Sequence, residues 1–96
     1  MSDEIVLCKK YEEVISWIGK RWTGLILRCL SFKPMRFKEL ARCVDACSEK
    51  VLTERLKELL ELGLIELKDS HYTLTELGSK LNLALDGIQH FADENL

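Results

Sequence analysis

The sequence predicts a single α+β domain that is mostly helical. The chain has 96 residues, about the size of one domain, and its 47% apolar and 31% charged residues are typical of a globular protein. One proline and five glycines leave long stretches without a strong helix breaker. Leucine dominates the apolar residues, whereas the β-branched and aromatic types that favour strands are modest, so helix is expected over most of the chain.

Apolar residues at steps of three and four predict three helices in the first half of the chain. The first stripe consists of Leu7, Tyr11, Val14, Ile15 and Ile18, and Gly19 follows it. The second consists of Trp22, Leu25, Ile26, Cys29 and Leu30. After it, Pro34 requires a turn or an extended entry into the next segment. A short third helix is indicated by Phe37, Leu40, Ala41 and Val44.

The second half predicts a longer helix, a hairpin and a closing helix. Ser48 is a good N-cap for the longer helix, and Gly63 is well placed just past its end. The stripe between them is Leu52, Leu56, Leu59 and Leu60. Alternation at 65–67 and 72–74 predicts two short strands with a turn at 68–71. Thr75 can cap a last helix, whose stripe is Leu77, Leu81, Ala84, Leu85, Ile88 and Phe91.

The order of these elements predicts a winged helix-turn-helix. A short helix, a tight turn and a second helix, followed by a small β-hairpin, is the order of that architecture. No repeat, low-complexity tract or linker interrupts the sequence. We therefore expect one domain over residues 1–96, with its core at about 8–91.

The net charge of −2 conceals an uneven distribution. Residues 1–19 carry a charge of −2, residues 20–57 carry +6 and residues 58–96 carry −6. A basic middle between acidic ends is expected when one face of a protein meets a polyanion. A charge-rich stretch is also found on ordinary solvated faces, so the pattern alone leaves both interpretations open.

The predicted helix at 48–61 has one apolar side and one polar side. Helical geometry turns Leu52, Leu56 and Leu59 toward the core and places Lys50, Glu54 and Lys57 opposite. Lysine suits phosphates or guanine, and a threonine at position 53 offers a hydroxyl to a base edge or phosphate and a methyl to thymine. Arg55 lies to the side, where a phosphate contact and a structural ion pair are both compatible with its position. The alternative without a binding role is a charged, solvent-exposed side of a helix in a helical bundle.

Six segments resemble the motifs of HxlR-type winged-helix regulators, which are related to the MarR-like group. They are WIGKRW at 17–22, LILR at 25–28, RFKEL at 36–40, SEKVLTERL at 48–56, GLIE at 63–66 and YTLTELG at 72–78. The resemblance runs from Cys8 to about Phe91. It implies a homodimeric bacterial or archaeal transcriptional regulator whose recognition helix enters the major groove of DNA. The region between the last two motifs is shorter than the family usually has, which puts minor-groove contact by the wing in doubt.

The resemblance and the charge pattern together assign candidate residues. We expect Lys50, Thr53 and Arg55 to contact the major groove, and Ser48 to cap the recognition helix. Phosphate contacts are expected from Arg36 and Lys38. The resemblance implies a dimer built by the first and last helices, with the interface residues Leu7, Tyr11, Ile15, Leu81, Leu85, Ile88 and Phe91. From periodicity alone, an intramolecular core helix is an equal alternative. A two-fold dimer predicts a near-palindromic operator.

The four cysteines are not expected to form a disulfide framework, because the acidic N-terminus is unlike a secretory signal and indicates a cytoplasmic protein. Cys29 is interpreted as a core residue. Cys43 and Cys47 are interpreted as packing residues, with a metal site that includes His71 as the weaker alternative, and His71 itself as a solvated turn residue. Cys8 lies beside two lysines that favour a thiolate, and it stands where redox-sensing members of the family have an early cysteine, so it is the candidate redox residue.

Two other functional classes are considered. A winged-helix dimer without specific DNA binding, acting as a protein-interaction module, is kept open by the acidic ends and by Glu54 on the exposed side of the helix. An enzyme is not indicated, since no Gly-rich phosphate loop or nucleophile–histidine–carboxylate arrangement is found. No cofactor, metal or membrane partner is predicted, and a small-molecule or oxidant effector is compatible with the chain.

Overall fold

The computed structural model describes residues 5–96. Within that range the chain forms six helices and one two-stranded antiparallel sheet. The elements are α1 Lys9–Ile18, α2 Thr23–Phe32, α3 Phe37–Cys43, α4 Glu49–Glu61, β1 Ile65–Lys68, β2 His71–Leu74, α5 Glu76–Ala84 and α6 Asp86–Asn95. The predicted α+β winged helix-turn-helix architecture is confirmed. None of the helices in the described residues is long and apolar enough to cross a membrane.

The core lies between α2, α3, α4 and the start of β1. Its fully buried side chains are Ile26, Leu27, Leu40, Leu52, Leu56, Leu59, Leu64 and Ile65. Burying a leucine or isoleucine side chain contributes about 1.5–3 kcal/mol. These residues therefore supply most of the free energy that holds α4 against the central helix α2.

The start of α2 differs from its predicted position. Trp22 is not part of the helix but precedes it, with a φ of +81°, a conformation that costs an L-residue about 1–2 kcal/mol. The Arg21 guanidinium lies 4.8 Å from the centre of the Trp22 ring. The buried side of α2 includes Leu27, while Leu25, which was placed on the apolar stripe, is 55% exposed.

Both predicted ends of the recognition helix α4 are confirmed. The Ser48 side chain accepts a hydrogen bond from the backbone N–H of Val51 at 3.2 Å, which satisfies one of the free donors of the first turn. At the other end Gly63 has a φ of +74°, the left-handed conformation that a helix-terminating glycine adopts readily. The helix is thus fixed at both ends by local sequence.

The hairpin is tighter than predicted. The strands pair from Ile65 opposite Leu74 to Lys68 opposite His71, so the turn consists only of residues 69–70 rather than 68–71. Asp69 and Ser70 both have positive φ, as a two-residue hairpin turn of type I′ requires. His71, interpreted from sequence as a solvated turn residue, is instead half-buried in β2 because the strand begins there.

The segment after α2 adds a third short extended element to the wing. The backbone groups of Met35 and Tyr72 exchange two hydrogen bonds, at 3.0 and 2.7 Å. Pro34 therefore leads into an extended residue, which was one of the two alternatives given by the sequence. This bridge ties the start of α3 to the hairpin.

The predicted closing helix is divided into two. Leu85 separates α5 from α6, and the only residues of this region that contact the core are on α5 or at the break. Gly78 on α5 packs directly on the carbonyl oxygen of Leu64, where no side chain would fit. α6 has no buried residue, and its apolar side chains Ile88 and Phe91 are 61% and 64% exposed.

The structure contains a disulfide bond between Cys29 and Cys43, which the sequence analysis did not predict. The buried side of α2 faces the end of α3, and the two Cα atoms are 6.5 Å apart, within the range that a disulfide spans. Cys29 lies in the core, as predicted, but the interpretation of Cys43 as a buried packing residue is wrong, because Cys43 is exposed and bonded to Cys29. Cys47 is buried with a free thiol, as expected for a packing residue.

Candidate nucleic-acid interface

The helix-turn-helix is formed by α3, the turn at 44–48 and α4. Leu40 is the buried residue of α3, and Val44 is buried just after the helix ends. The turn is closed by a hydrogen bond from the backbone N–H of Cys47 to the carbonyl oxygen of Val44 at 2.8 Å. The core thus holds the turn that sets the direction of the recognition helix.

The two sides of α4 are divided as predicted. Leu52, Leu56 and Leu59 are at most 2% exposed, while Lys50 and Thr53 are exposed. The Thr53 hydroxyl donates to the Glu49 carbonyl oxygen at 2.8 Å. Its oxygen lone pairs and its methyl group remain available to a partner.

Arg55 adopts the intramolecular alternative of the two that the sequence left open. Its Nε donates to the Arg21 carbonyl oxygen at 3.1 Å, and its guanidinium pairs with the Glu58 carboxylate at 3.1 Å. Its side chain is only 19% exposed. Because Lys20 also pairs with Glu58, Arg55 belongs to a small network that joins α4 to the segment before α2.

Five basic side chains of the helix-turn-helix have no ion-pair partner within the described residues. Of the ten basic residues between positions 20 and 57, four form ion pairs and Arg21 lies on the Trp22 ring. The others, which we call the unpaired basic set, are Arg36, Lys38, Arg42, Lys50 and Lys57. All five are exposed. The basic side chains of this set thus lie on or just before the two helices that a helix-turn-helix presents to DNA.

Two members of this set, Arg42 and Lys57, were not among the predicted site residues. Both lie in the basic block of the sequence, and Lys57 was already placed on the outward side of α4. Arg28 and Lys33 form ion pairs, whereas Arg42 and Lys57 form none within the described part of the chain. This difference depends on tertiary contacts that the sequence does not show.

The start of α3 is organised around a carboxylate. Glu39 accepts from the backbone N–H of Arg36 at 3.1 Å and pairs with Lys33 at 3.2 Å. The Arg36 backbone hydrogen bond, the Lys33 side chain and the more distant His71 lower the pKa of Glu39. The ionised Glu39 thus neutralises Lys33 and leaves the Arg36 side chain exposed at the first turn.

The hairpin presents little unpaired positive charge. Lys68 pairs with Glu66 on the same strand at 3.3 Å. The His71 Nδ1 atom lies 2.8 Å from the Asp69 carbonyl oxygen. With a two-residue turn and both residues engaged, the wing offers less to DNA than α3 and α4 do.

The helices at the two ends of the described chain expose large apolar side chains. Leu7, Tyr11, Ile15, Ile88 and Phe91 are between 42% and 64% exposed, and we call them the terminal-helix surface. The other two residues predicted at the dimer interface, Leu81 and Leu85, instead pack partly against the chain's own core. The end of α1 and the start of α6 line one open cavity of about 420 Å³, so the two helices border a common surface.

Cys8 lies immediately before α1, with its thiol free and exposed. Lys9 next to it pairs with Glu12 at 3.5 Å. The structure therefore leaves this sulfur open to reagents in solution. The described residues hold no group of three or more candidate metal ligands, and Cys43 is bonded to Cys29 rather than placed for a metal with Cys47 and His71.

The HxlR-like helix-turn-helix family model matches residues 17–96. The chain belongs to this family. It is 40% identical to the HTH-type transcriptional regulator YodB of Bacillus subtilis over 95 residues, which covers 92% of this chain and 85% of the relative. The domain is accordingly a DNA-binding transcriptional regulator of the HxlR type.

Solved structures agree with this assignment. A quinone-bound crystal structure of YodB from Bacillus subtilis superposes with a TM-score of 0.83 at 42% identity, covering 92% of this chain and 99% of that one. A MarR-family regulator from Porphyromonas gingivalis W83 gives a TM-score of 0.88 at 30% identity and covers 97% of this chain and all of the other. The winged helix-turn-helix of this HxlR-type chain is thus shared over nearly its full length.

Proposed function

We propose that this HxlR-type regulator binds a near-palindromic operator as a homodimer, with α4 of each subunit in the major groove. The observation that carries this proposal is the unpaired basic set, since all five side chains lie on α3, on its N-cap residue Arg36 or on α4. Neutralising phosphates with such side chains releases counterions and supplies affinity. The same helices include the predicted recognition segment 48–61.

The roles of the site residues follow from their surroundings. Lys50 and Thr53 are exposed near the start of α4 and would contact base edges or phosphates. The side chains of Arg36 and Lys38, at the start of α3, would contact phosphates. Ser48 fixes the first turn of the helix through its hydrogen bond to Val51. Arg55 acts as a positioning residue, because its guanidinium is held by Arg21 and Glu58.

The terminal-helix surface supports the homodimer. Five large apolar side chains on or beside α1 and α6 are at least 42% exposed within the described residues. Large exposed apolar surfaces mark interaction sites, and a two-fold dimer buries the same patch on both subunits. Ile88 and Phe91 on α6, with Tyr11 on α1, would form its centre.

A selection from random duplexes tests the proposal. The purified protein should enrich a two-fold related sequence whose half-sites are centred about 10 base pairs apart. Its affinity for that sequence should fall steeply with salt, with a slope of several charges per dimer. Failure to enrich any duplex, or a slope near zero, would favour the alternative of a protein-interaction module, to which the comparisons give no support.

We further propose that oxidants or electrophiles act on Cys8. Its thiol is free and exposed, and a relative with 42% identity has been crystallised bound to quinone. A quinone should form an adduct with the wild-type protein, in which the Cys29–Cys43 disulfide is intact, and change its operator affinity. A Cys8→Ser variant that still responds fully would contradict this role, and Cys47→Ala is the control, since Cys47 is buried.

The remaining expectations fit the same proposal. We propose that the regulator acts in the cytoplasm, where chromosomal operators lie, and that residues 1–96 work as one domain. It needs no catalytic step or cofactor, because regulation would follow from changes in DNA affinity. Occupancy of the operator with and without oxidant is therefore the relevant activity to measure.

A further inference from the structure

The disulfide joins the central helix of the core to the first helix of the helix-turn-helix. Cys29 is 5% exposed on the buried side of α2, and Cys43 is the last residue of α3. The segment that the bond closes contains the wing bridge at Met35 and all of α3. Just beyond it, Val44 begins the turn that leads to α4.

Besides the disulfide, α3 is held by the Met35–Tyr72 bridge before it and by Phe37 and Ala41, which are partly buried against the core. It has seven residues, and Leu40 is the one that is buried. A short helix with so few buried contacts belongs to the part of a protein that opens locally at low cost. The Cys29–Cys43 bond is therefore a main restraint on α3, and α3 carries three members of the unpaired basic set at or after its N-cap.

We propose that Cys29 and Cys43 form a reversible two-electron oxidation site, distinct from Cys8, that controls how firmly α3 is held and thereby the affinity for the operator. With the bond formed, α3 and the following turn are fixed and the basic side chains are preorganised for DNA. With the bond reduced, α3 moves more freely and binding weakens. The effect on affinity rests on the DNA-binding function proposed above, but the chemistry at the two sulfurs does not.

The two sulfurs differ in access, which sets the order of the steps. Cys43 is exposed whereas Cys29 is buried, so an attacking thiolate reaches the Cys43 sulfur first. A dithiol reductant forms a mixed disulfide with Cys43, and the Cys29 sulfur leaves as a thiolate and takes a proton. The second thiol of the reductant then displaces Cys43, which is also protonated. The reductant becomes a cyclic disulfide, and the protein gains two electrons and two protons.

The reverse reaction needs a two-electron thiol oxidant such as diamide. The Cys43 thiolate adds to the N=N bond of the reagent and gives a sulfenyl adduct. The Cys29 thiolate then attacks the Cys43 sulfur, forms the disulfide and displaces the reduced hydrazine. Each step occurs within one subunit, so no covalent dimer is produced.

The chemistry is tested with full-length Cys8→Ser protein, in which three cysteines remain. After reduction with dithiothreitol, unfolding in N-ethylmaleimide should label three thiols. After diamide treatment and removal of the reagent it should label one, with the protein still monomeric in mass on a non-reducing gel. Adding Cys47→Ala as a matched control should leave the bond intact, whereas adding Cys43→Ser should prevent it. Three labelled thiols after diamide would overturn the proposal.

The consequence is measured on the same reduced and oxidised samples. Hydrogen exchange of α3 amides should be at least several-fold faster in the reduced protein and in the Cys43→Ser variant, with α4 core amides unchanged. Operator affinity should be about tenfold weaker in both, as expected when a preorganised element is released. Equal exchange in the two states would overturn the linkage to α3. If exchange differs but neither state binds any duplex, the DNA-binding proposal fails while the oxidation site stands.

Discussion

The helix-turn-helix and the terminal helices use their exposed residues in opposite ways. The helix-turn-helix exposes five basic side chains that have no ion-pair partner within the described residues, while Leu40, Leu52, Leu56 and Leu59 are buried. In α1 and α6 the exposed residues include large apolar side chains, and neither helix has a buried residue. The first region therefore has a buried apolar side and an exposed side with unpaired cations, whereas the second exposes apolar side chains.

This difference indicates two partners of different chemistry. Exposed cations without an ion-pair partner attract a polyanion, whereas exposed apolar side chains pack against another apolar surface. Arg28, which lines the same cavity as the end of α1 and the start of α6, is paired with Asp86 at 3.0 Å. Its charge is therefore neutralised within the fold, whereas the unpaired basic set keeps its charge for DNA.

The largest effect is expected from charges placed on the terminal-helix surface. Ile88→Asp combined with Phe91→Asp should raise the dimer dissociation constant at least a hundredfold, since each buried apolar side chain contributes about 1.5–3 kcal/mol and both subunits lose it. Sedimentation equilibrium measures the change. Leu67→Asp is the matched control, because Leu67 is 50% exposed on the hairpin outside this surface. A double variant that dimerises like the wild type would show that this surface is not the interface.

A smaller effect, a loss of operator affinity, is expected from a substitution in the recognition helix. Lys50→Ala should weaken binding to the selected operator about tenfold, because a specific base contact contributes about 1–3 kcal/mol, and the dimer should remain intact. Fluorescence anisotropy with labelled duplex measures the affinity. Lys80→Ala serves as the control, since Lys80 lies on α5 and pairs with Glu76. Unchanged affinity for Lys50→Ala would mean that another face meets the DNA.

Substitution of a residue that contacts phosphates should change the salt dependence of DNA affinity rather than the sequence specificity. Arg36→Ala or Arg42→Ala should each lower the slope of log affinity against log salt by about one per subunit, with similar losses for specific and random duplexes. Titrations at several salt concentrations measure the slope. A loss confined to the specific site would instead assign that arginine to base recognition.

The smallest effect concerns the carboxylate at the start of α3. The pKa of Glu39 is lowered from its usual 4.5, so the ionised group stabilises the folded state above that pH, and the contribution is lost as the pH falls through the lowered value. Glu39→Gln should therefore lower the thermal midpoint at pH 7. The difference from wild type should shrink as the pH drops below about 4.5. A difference that is constant with pH would exclude the ionised carboxylate as its cause.

Local sequence signals predicted α4 and the hairpin well, because both depend on neighbouring residues. The Ser48 cap, the leucine stripe and Gly63 determine α4, and alternation determines the two strands. The start of α2 was missed because Trp22 adopts a positive φ that its side chain does not suggest. The break at Leu85 was also missed, since the apolar stripe continues across it.

Features that depend on distant residues could not be predicted from the sequence. The spacing of Cys29 and Cys43 gives no sign that α2 and α3 bring them together. Likewise, Arg55 and Arg42 both lie in the basic block, and the contacts with Glu58 and the Arg21 carbonyl oxygen show that Arg55 is engaged within the fold. The paired or unpaired state of each cation was the information that the sequence lacked.

Methylation interference on the selected operator tests most directly whether α4 lies in the major groove. Dimethyl sulfate methylates guanine N7 in the major groove and adenine N3 in the minor groove, so a single reagent probes both. Methylation of guanine N7 in two patches about one helical turn apart should prevent binding, while methylation of adenine N3 in the minor groove should not. Interference by adenine N3 alone, with methylated guanines tolerated throughout both half-sites, would contradict this placement of α4.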